Sequence, residues 1–228
     1  MENEIQLKSI IARSVVFSGI VSTFIWAFWF NSGTIGYNAE SRDGASRVSA
    51  GTTPLVIVLS LAGLVLSCVL LNTKVQSRDF HVVPMWRRAA AFVLDFWYAL
   101  VTLSGLFGTV HVLLEGARTG TFQWHFQRDY SVPADSAGVA LVFLQLGVVV
   151  GYFLLPLMRR GQTVGCWIFR LVTVNADGYV VYLPFSTAMR RLLMEFRGVC
   201  SPFKTFKNRD DQGRTFYDRE SGFTVLGY

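Results

Sequence analysis

Four stretches of the chain are long and apolar: residues 14–30, 53–71, 89–114 and 136–158. The first, second and fourth hold no charged residue. The third is apolar except for Asp95 and His111. A helix of about 20 residues rises about 30 Å, the thickness of a bilayer's hydrocarbon core. The pattern therefore predicts four transmembrane helices in two hairpins. The loop after the first helix is rich in Ser, Gly, Asn and Arg and reads as irregular. The loop after the third contains TFQWHFQRDY, whose Phe122, Trp124, Phe126 and Tyr130 suit a membrane interface.

Beyond residue 158 the pattern changes. WIFRLVTVNADGYVVYLPF reads as two short strands around an NADG turn. STAMRRLLMEFRGVC reads as one amphipathic helix, with Ala188, Leu192, Leu193 and Phe196 on a shared face and Arg190, Arg191 and Arg197 away from it or flanking it. It is too short and too charged to span, so an interfacial position is expected. GFTVLGY completes the tail as a third short strand. The fold class expected is an all-α membrane protein with four spans, plus a C-terminal tail bearing short β-strands and an interfacial helix.

Composition agrees: 52% of the 228 residues are hydrophobic and 16% charged, where an average globular chain has about 25% charged. The first helix follows Lys8 and Arg13, but its run is long and aromatic and no small-x-small cleavage site follows closely. It is read as a retained helix, not a signal peptide.

Charge placement sets an orientation. Arg42 and Arg47 lie in the first long loop, and Arg118 and Arg128 in the second. The other 17 of the 21 basic residues lie in the N-terminal segment, the 72–88 link and the tail. The positive-inside rule places both termini and that link on the cytoplasmic side of an inner membrane. The net charge of +6 is then an orientation signal and a contact for anionic headgroups, with no need of nucleic acid. Cys68, Cys166 and Cys200 share no close spacing, so free thiols are expected.

Small residues mark helix contacts. Gly147 and Gly151 make a GxxxG spacing in the fourth helix, and Gly63 and Ser67 are four apart in the second. Internal packing is the first reading and a homo-oligomer face the alternative. Within WRRAAAFVLD, Arg88 and Asp95 stand two turns apart on one helix face. Arg88 is at the boundary, where it can snorkel. Asp95 lies roughly 10 Å deeper. An intramembrane carboxylate is expensive and needs partners.

Four segments carry a resemblance. Arg88, Ala91 and Asp95 form R-x-x-A-x-x-x-D. GQTVG, at Gly161, Thr163 and Gly165, runs into RLVTVNADG. MRRLL supplies Arg190 or Arg191. YDRESGFTVL supplies Asp218. In this order they resemble the RDD family of membrane proteins, named for one arginine and two aspartates, over about residues 84–228. Residues 1–83 would then be an added hairpin and linker. Cys166 stands where the family usually has a lysine, and the helix bearing Arg190 and Arg191 is shorter and more charged than the family's usual third span. The resemblance implies a poorly defined role, with sodium–proton exchange linked to some members, and Asp95 would be the carrier group.

The alternative is a non-catalytic module that assembles with a protein partner or another copy. In that reading Arg88, Asp95 and Asp218 lock the tail to the third helix. No G-x-S-x-G, H-E-x-x-H or P-loop is present, which points away from an enzyme, a cofactor or a metal centre.

Overall fold

The computed structural model describes residues 2–30, 36–42, 45–72, 80–130, 136–159, 162–175, 180, 183–200, 218 and 222–228. All four apolar stretches are helical: α1 (Glu2–Phe30), α2 (Pro54–Asn72), α3 (Met85–Thr119) and α4 (Ser136–Arg159). Among the described residues, α2 and α3 are long and apolar enough to cross a membrane, while α1 and α4 contribute shorter apolar stretches, Ser9–Thr23 and Phe143–Arg159. A short helix, α5 (Val164–Ile168), and a longer one, α6 (Phe185–Cys200), follow.

The chain divides into two compact units. Unit 1 comprises Met1–Ser18, Leu66–Phe96 and Gly151–Tyr228. It holds an antiparallel sheet of β3 (His81–Val82), β6 (Phe223–Gly227) and β5 (Leu171–Asn175), in that order. Leu171 pairs with Gly227 and Asn175 with Phe223. The expected strands at 171–175 and 223–227 therefore exist and pair with each other. Of the segment expected as the strand between them, Val180 forms an isolated bridge to Val174, and its neighbours lie outside the described residues. Val83, Ala91 and Leu171 form a buried cluster, with Cys166, Phe169 and Val225 packed on it.

Of the face expected for α6, the Phe196 side chain lies outside the described residues, and one exchange appears among the rest. Ala188 and Leu192 are buried, and so is Arg191, whereas Leu193 is 62% exposed. Arg190 and Arg197 are exposed. Positions 188, 191 and 192 share a helix stripe, so the second arginine of the pair turns inward.

Unit 2 comprises Gly19–Val65 and Trp97–Val150. Its sheet is β1 (Gly36–Arg42), β2 (Ala45–Gly51) and β4 (His125–Tyr130), all antiparallel. This corrects the expectation of an irregular first loop. GYNAESR and ASRVSAG lack the alternating apolar positions that announce a strand, and their pairing is completed by a segment about 80 residues away. The aromatic segment expected at the interface supplies that third strand. Thr52, beside the sheet, donates its N–H to Trp124 O (2.9 Å), and its hydroxyl meets that of Thr109 (2.9 Å).

In unit 2, small and hydroxyl side chains enter the helix contacts while many large apolar ones are exposed. On α2, Ser60 and Gly63 are buried, while Leu55, Val58 and Val65 are each more than 60% exposed. On α3, Thr102 is buried and Leu113 and Leu114 are exposed. Small and hydroxyl side chains at the contact, beside buried Leu103, Phe107 and Val112, with an exposed apolar outer surface, suit helices whose solvent is hydrocarbon. A Cβ on Gly63 would stand 2.8 Å from Thr102 Oγ1, and one on Gly105 would meet Ser60 Oγ and lie 3.0 Å from Val56 Cγ1. Tyr98 donates its hydroxyl to Gly63 O, a bond only this close approach permits. The expected contact at Gly63 is thus present. Gly147 and Gly151 differ: among the described residues an added Cβ at either position meets nothing within 4 Å.

Gly105→Ala should therefore destabilise the protein by about 1–3 kcal/mol through overpacking. Gly147→Ala should be neutral or stabilising by up to about 1 kcal/mol, the gain in helix propensity. Unfolding midpoints of the two variants in detergent check both signs.

Candidate functional site: two carboxylates that hold the tail to α3

The geometry of the first site follows from how α5 begins. A helix leaves its first N–H groups without intrahelical partners. Thr163 is the N-cap, extended at φ −75° and ψ 164°, and its hydroxyl accepts from Cys166 N (3.3 Å). The same hydroxyl donates to Asp95 Oδ2 at 2.5 Å. Gly165 N donates to Asp95 Oδ1 at 2.7 Å, and Val164 N donates to the Tyr152 hydroxyl at 3.1 Å. That hydroxyl in turn donates to Asp95 Oδ1 at 2.7 Å. One carboxylate on α3, one hydroxyl on α4 and the cap itself thereby satisfy the opening of α5. A negative group at a helix start is also favoured by the aligned peptide dipoles.

Gly165 is required by space. A Cβ there would collide with Ala91 O and stand 2.8 Å from Asp95 Cγ. The first partner is backbone and cannot swing aside. Ala91 and Asp95 are one helical turn apart on α3, so α5 rests on that turn with no room for a side chain. Asp95 is 3% exposed.

The second site lies two turns toward the start of α3. Arg88 Nη1 donates to Asp218 Oδ2 at 2.6 Å, and Nη2 donates to Val225 O on β6 at 2.5 Å. Arg191 on α6 reaches the other carboxylate oxygen, Nη2 to Oδ1, at 3.5 Å. The three side chains are each at most 9% exposed. Arg87 adds a bond from Nη2 to Phe169 O at 2.5 Å. Gln162, also buried, donates its side-chain amide to Leu171 O (2.8 Å) and accepts from Tyr228 Oη (3.1 Å). Its backbone N–H donates to Leu70 O (3.3 Å).

The expected single network of Arg88, Asp95 and Asp218 is thus two. Arg88 spends its terminal nitrogens on Asp218 and Val225, and Asp95 serves the turn before α5. Two turns of helix, roughly 10 Å, are enough to give the two residues different neighbours. Of the two candidate arginines, Arg191 reaches Asp218, and Arg190 lies on the exposed face of α6. Thr163 and Gly165 act as the motif turn, while Gly161 lies outside the described residues. Tyr152 is the site residue that sequence reasoning misses. It reads as one more aromatic in an apolar helix, and only the turn packed against it reveals the use of its hydroxyl. Cys166 sits against the apolar cluster of Val83, Ala91 and Leu171. No group of three or more His, Cys, Asp or Glu side chains able to hold a metal occurs among the described residues.

Asp218→Asn should cost about 3–5 kcal/mol, because it leaves two buried guanidinium groups without their carboxylate. Gly165→Ala should cost about 1–3 kcal/mol by forcing α5 off α3. Both should free the segment after residue 159 for proteolysis at a lower temperature than in the unaltered protein, which gel analysis of the digest would show.

No curated protein and no solved structure matches the chain. The model of the RDD family matches residues 82–219, which is more than half of the chain and takes in Arg88, Asp95, Thr163, Gly165, Arg191 and Asp218. With its exposed apolar helices and this match, the chain is a membrane protein that belongs to the RDD family.

Proposed function

We propose that the chain is a non-catalytic membrane module of four spans, with both termini on the cytoplasmic side of the inner membrane. Its Arg/Asp/Asp residues act as a structural lock, and it works by assembling with a protein partner or with another copy of itself. The observation that carries this reading is the state of Asp95. Both carboxylate oxygens are engaged, by Tyr152 of α4, by Thr163 and by the Gly165 N–H in the first turn of α5, and the residue is 3% exposed. A group that carries ions must exchange its ligands with the two aqueous sides. Here those ligands also close the N-terminus of α5, so each exchange would undo that turn. The open face at Gly147 and Gly151 supports an assembly role, since small residues in lipid allow a second helix close approach.

Cation exchange is the second reading, and one observation favours it. Asp95 is flanked by the Tyr152 and Thr163 hydroxyls, and oxygen donors of this kind suit a partly dehydrated sodium ion. The two readings separate in liposomes. Under the lock reading, an imposed sodium gradient moves no protons through the purified protein. Asp95→Asn then costs roughly 1.5–3 kcal/mol for each charged hydrogen bond lost. Sodium-driven proton movement that disappears in a folded Asp95→Asn variant would overturn the lock reading.

A further inference from the structure

Two arginines of unit 1 belong to neither carboxylate site. Arg13 lies on α1, and its guanidinium stands 5.5 Å from the centre of the Trp167 ring. Arg170 follows the C-cap of α5 and stands 5.7 Å from the centre of the Tyr228 ring. Both border the end of α5: Arg13 lies over the Trp167 ring, and Arg170 N donates to Trp167 O (3.3 Å). Among the described residues neither forms a salt bridge, and Arg13 Nε is buried without an acceptor. Two guanidinium groups at one end of α5, with no carboxylate partner among the described residues, offer charge-assisted donors to an anion.

The backbone points the same way. Arg170 has φ 54°, in the left-handed region, at the position after a helix cap where glycine is usual. A long cationic side chain on a strained residue is a departure that the turn does not need, since glycine would make it more easily. The turn is held by Arg170 N to Trp167 O (3.3 Å), and Tyr228 N donates to Arg170 O (3.2 Å). The side chain is thus presented from a fixed base. Beside it, α1 exposes Ile10 (55%) and Phe17 (40%), and Phe17 packs edge-on against Phe169. A cationic pair bordered by an exposed apolar helix face suits a ligand with a phosphate at one end and hydrocarbon at the other.

We propose that Arg13 and Arg170 form a binding site for the phosphate of an anionic glycerophospholipid, with an acyl chain lying along Ile10 and Phe17 of α1. The site rests on the membrane reading of the chain but not on its orientation, nor on the lock at Asp95 and Asp218. Trp167 and Tyr228 hold the two guanidinium planes in place, as aromatic faces do for arginine.

The test is native mass spectrometry of the full chain released from detergent after titration with phosphatidylglycerol, phosphatidylcholine or inorganic phosphate. Arg170→Gly is the key variant, because glycine adopts the positive φ without strain and the fold is kept. Arg13→Gln is the second. The unaltered protein should retain phosphatidylglycerol over phosphatidylcholine, and each variant should reduce that preference by about fivefold, the scale of one basic residue at an anionic surface. The unfolding midpoint of Arg170→Gly without lipid should be unchanged or higher. Equal retention of the two lipids by the unaltered protein would overturn the proposal, as would an undiminished preference in Arg170→Gly. Protection by inorganic phosphate equal to that by phosphatidylglycerol would also overturn it, by identifying a site for soluble anions. A drop in midpoint for Asp218→Asn with lipid preference intact would separate the lock from the headgroup site.

Discussion

A carboxylate withdrawn from water must be met by donors, and the placing of Asp95 on α3 imposes that requirement on everything packed against it. Removing such a group from high dielectric is costly unless several hydrogen bonds replace the lost hydration. The chain meets the demand with the one arrangement that also solves a second problem. The first N–H groups of α5 need acceptors, and Asp95 needs donors. Placing the turn before α5 on Asp95 satisfies both. Gly165 follows from this, because the N–H can reach the carboxylate only if α5 comes within backbone contact of Ala91. Thr163 follows as the residue that can cap a helix and donate to a carboxylate with one hydroxyl. The motif is thus the surface of α3 read in complement.

The second carboxylate works by opposite means. Asp95 is held largely by a turn built around it, whereas Asp218 stands between two guanidinium groups from different elements. Arg88 belongs to α3 and Arg191 to α6, and Arg88 also takes a carbonyl of β6. One acidic side chain thereby ties α3, the sheet strand β6 and α6. The pairing is strong against loss of a partner but contributes little against an apolar substitute. Its value is therefore best understood as geometric: it fixes which elements meet and in what register.

Much of this is legible in the sequence, and the limits have physical causes. The four helices are visible because each coincides with a long uninterrupted apolar run in the sequence. Arg88, Asp95, Thr163, Gly165 and Asp218 are visible because their spacing matches a family pattern. Their division into two sites is not, since two residues on one helix face read as neighbours until their partners are known. Arg190 and Arg191 are adjacent and identical, and only the buried stripe through Ala188 and Leu192 decides between them. The sheet of unit 2 is hidden for another reason. Its first two strands, GYNAESR and ASRVSAG, hold few large apolar residues and leave little period in the sequence. Their pairing resides in backbone bonds between segments far apart in the chain.

The two sites taken together do what neither could do singly. A single buried contact between a helix and a tail leaves rotation about that contact free. Asp95 grips α5 and Arg88 grips β6 and Asp218, at two levels of α3 separated by two turns. Two attachments along one rigid helix remove that rotation, and Gln162 adds a third tie from the end of α2 to β5. The departure at Cys166 is consistent with this division of labour. Its side chain faces the apolar cluster of Val83, Ala91 and Leu171, while its backbone N–H completes the Thr163 cap. The cap uses the backbone of residue 166 and leaves the side chain to packing. The contacts of α5 with Asp95 therefore do not involve the side chain of residue 166.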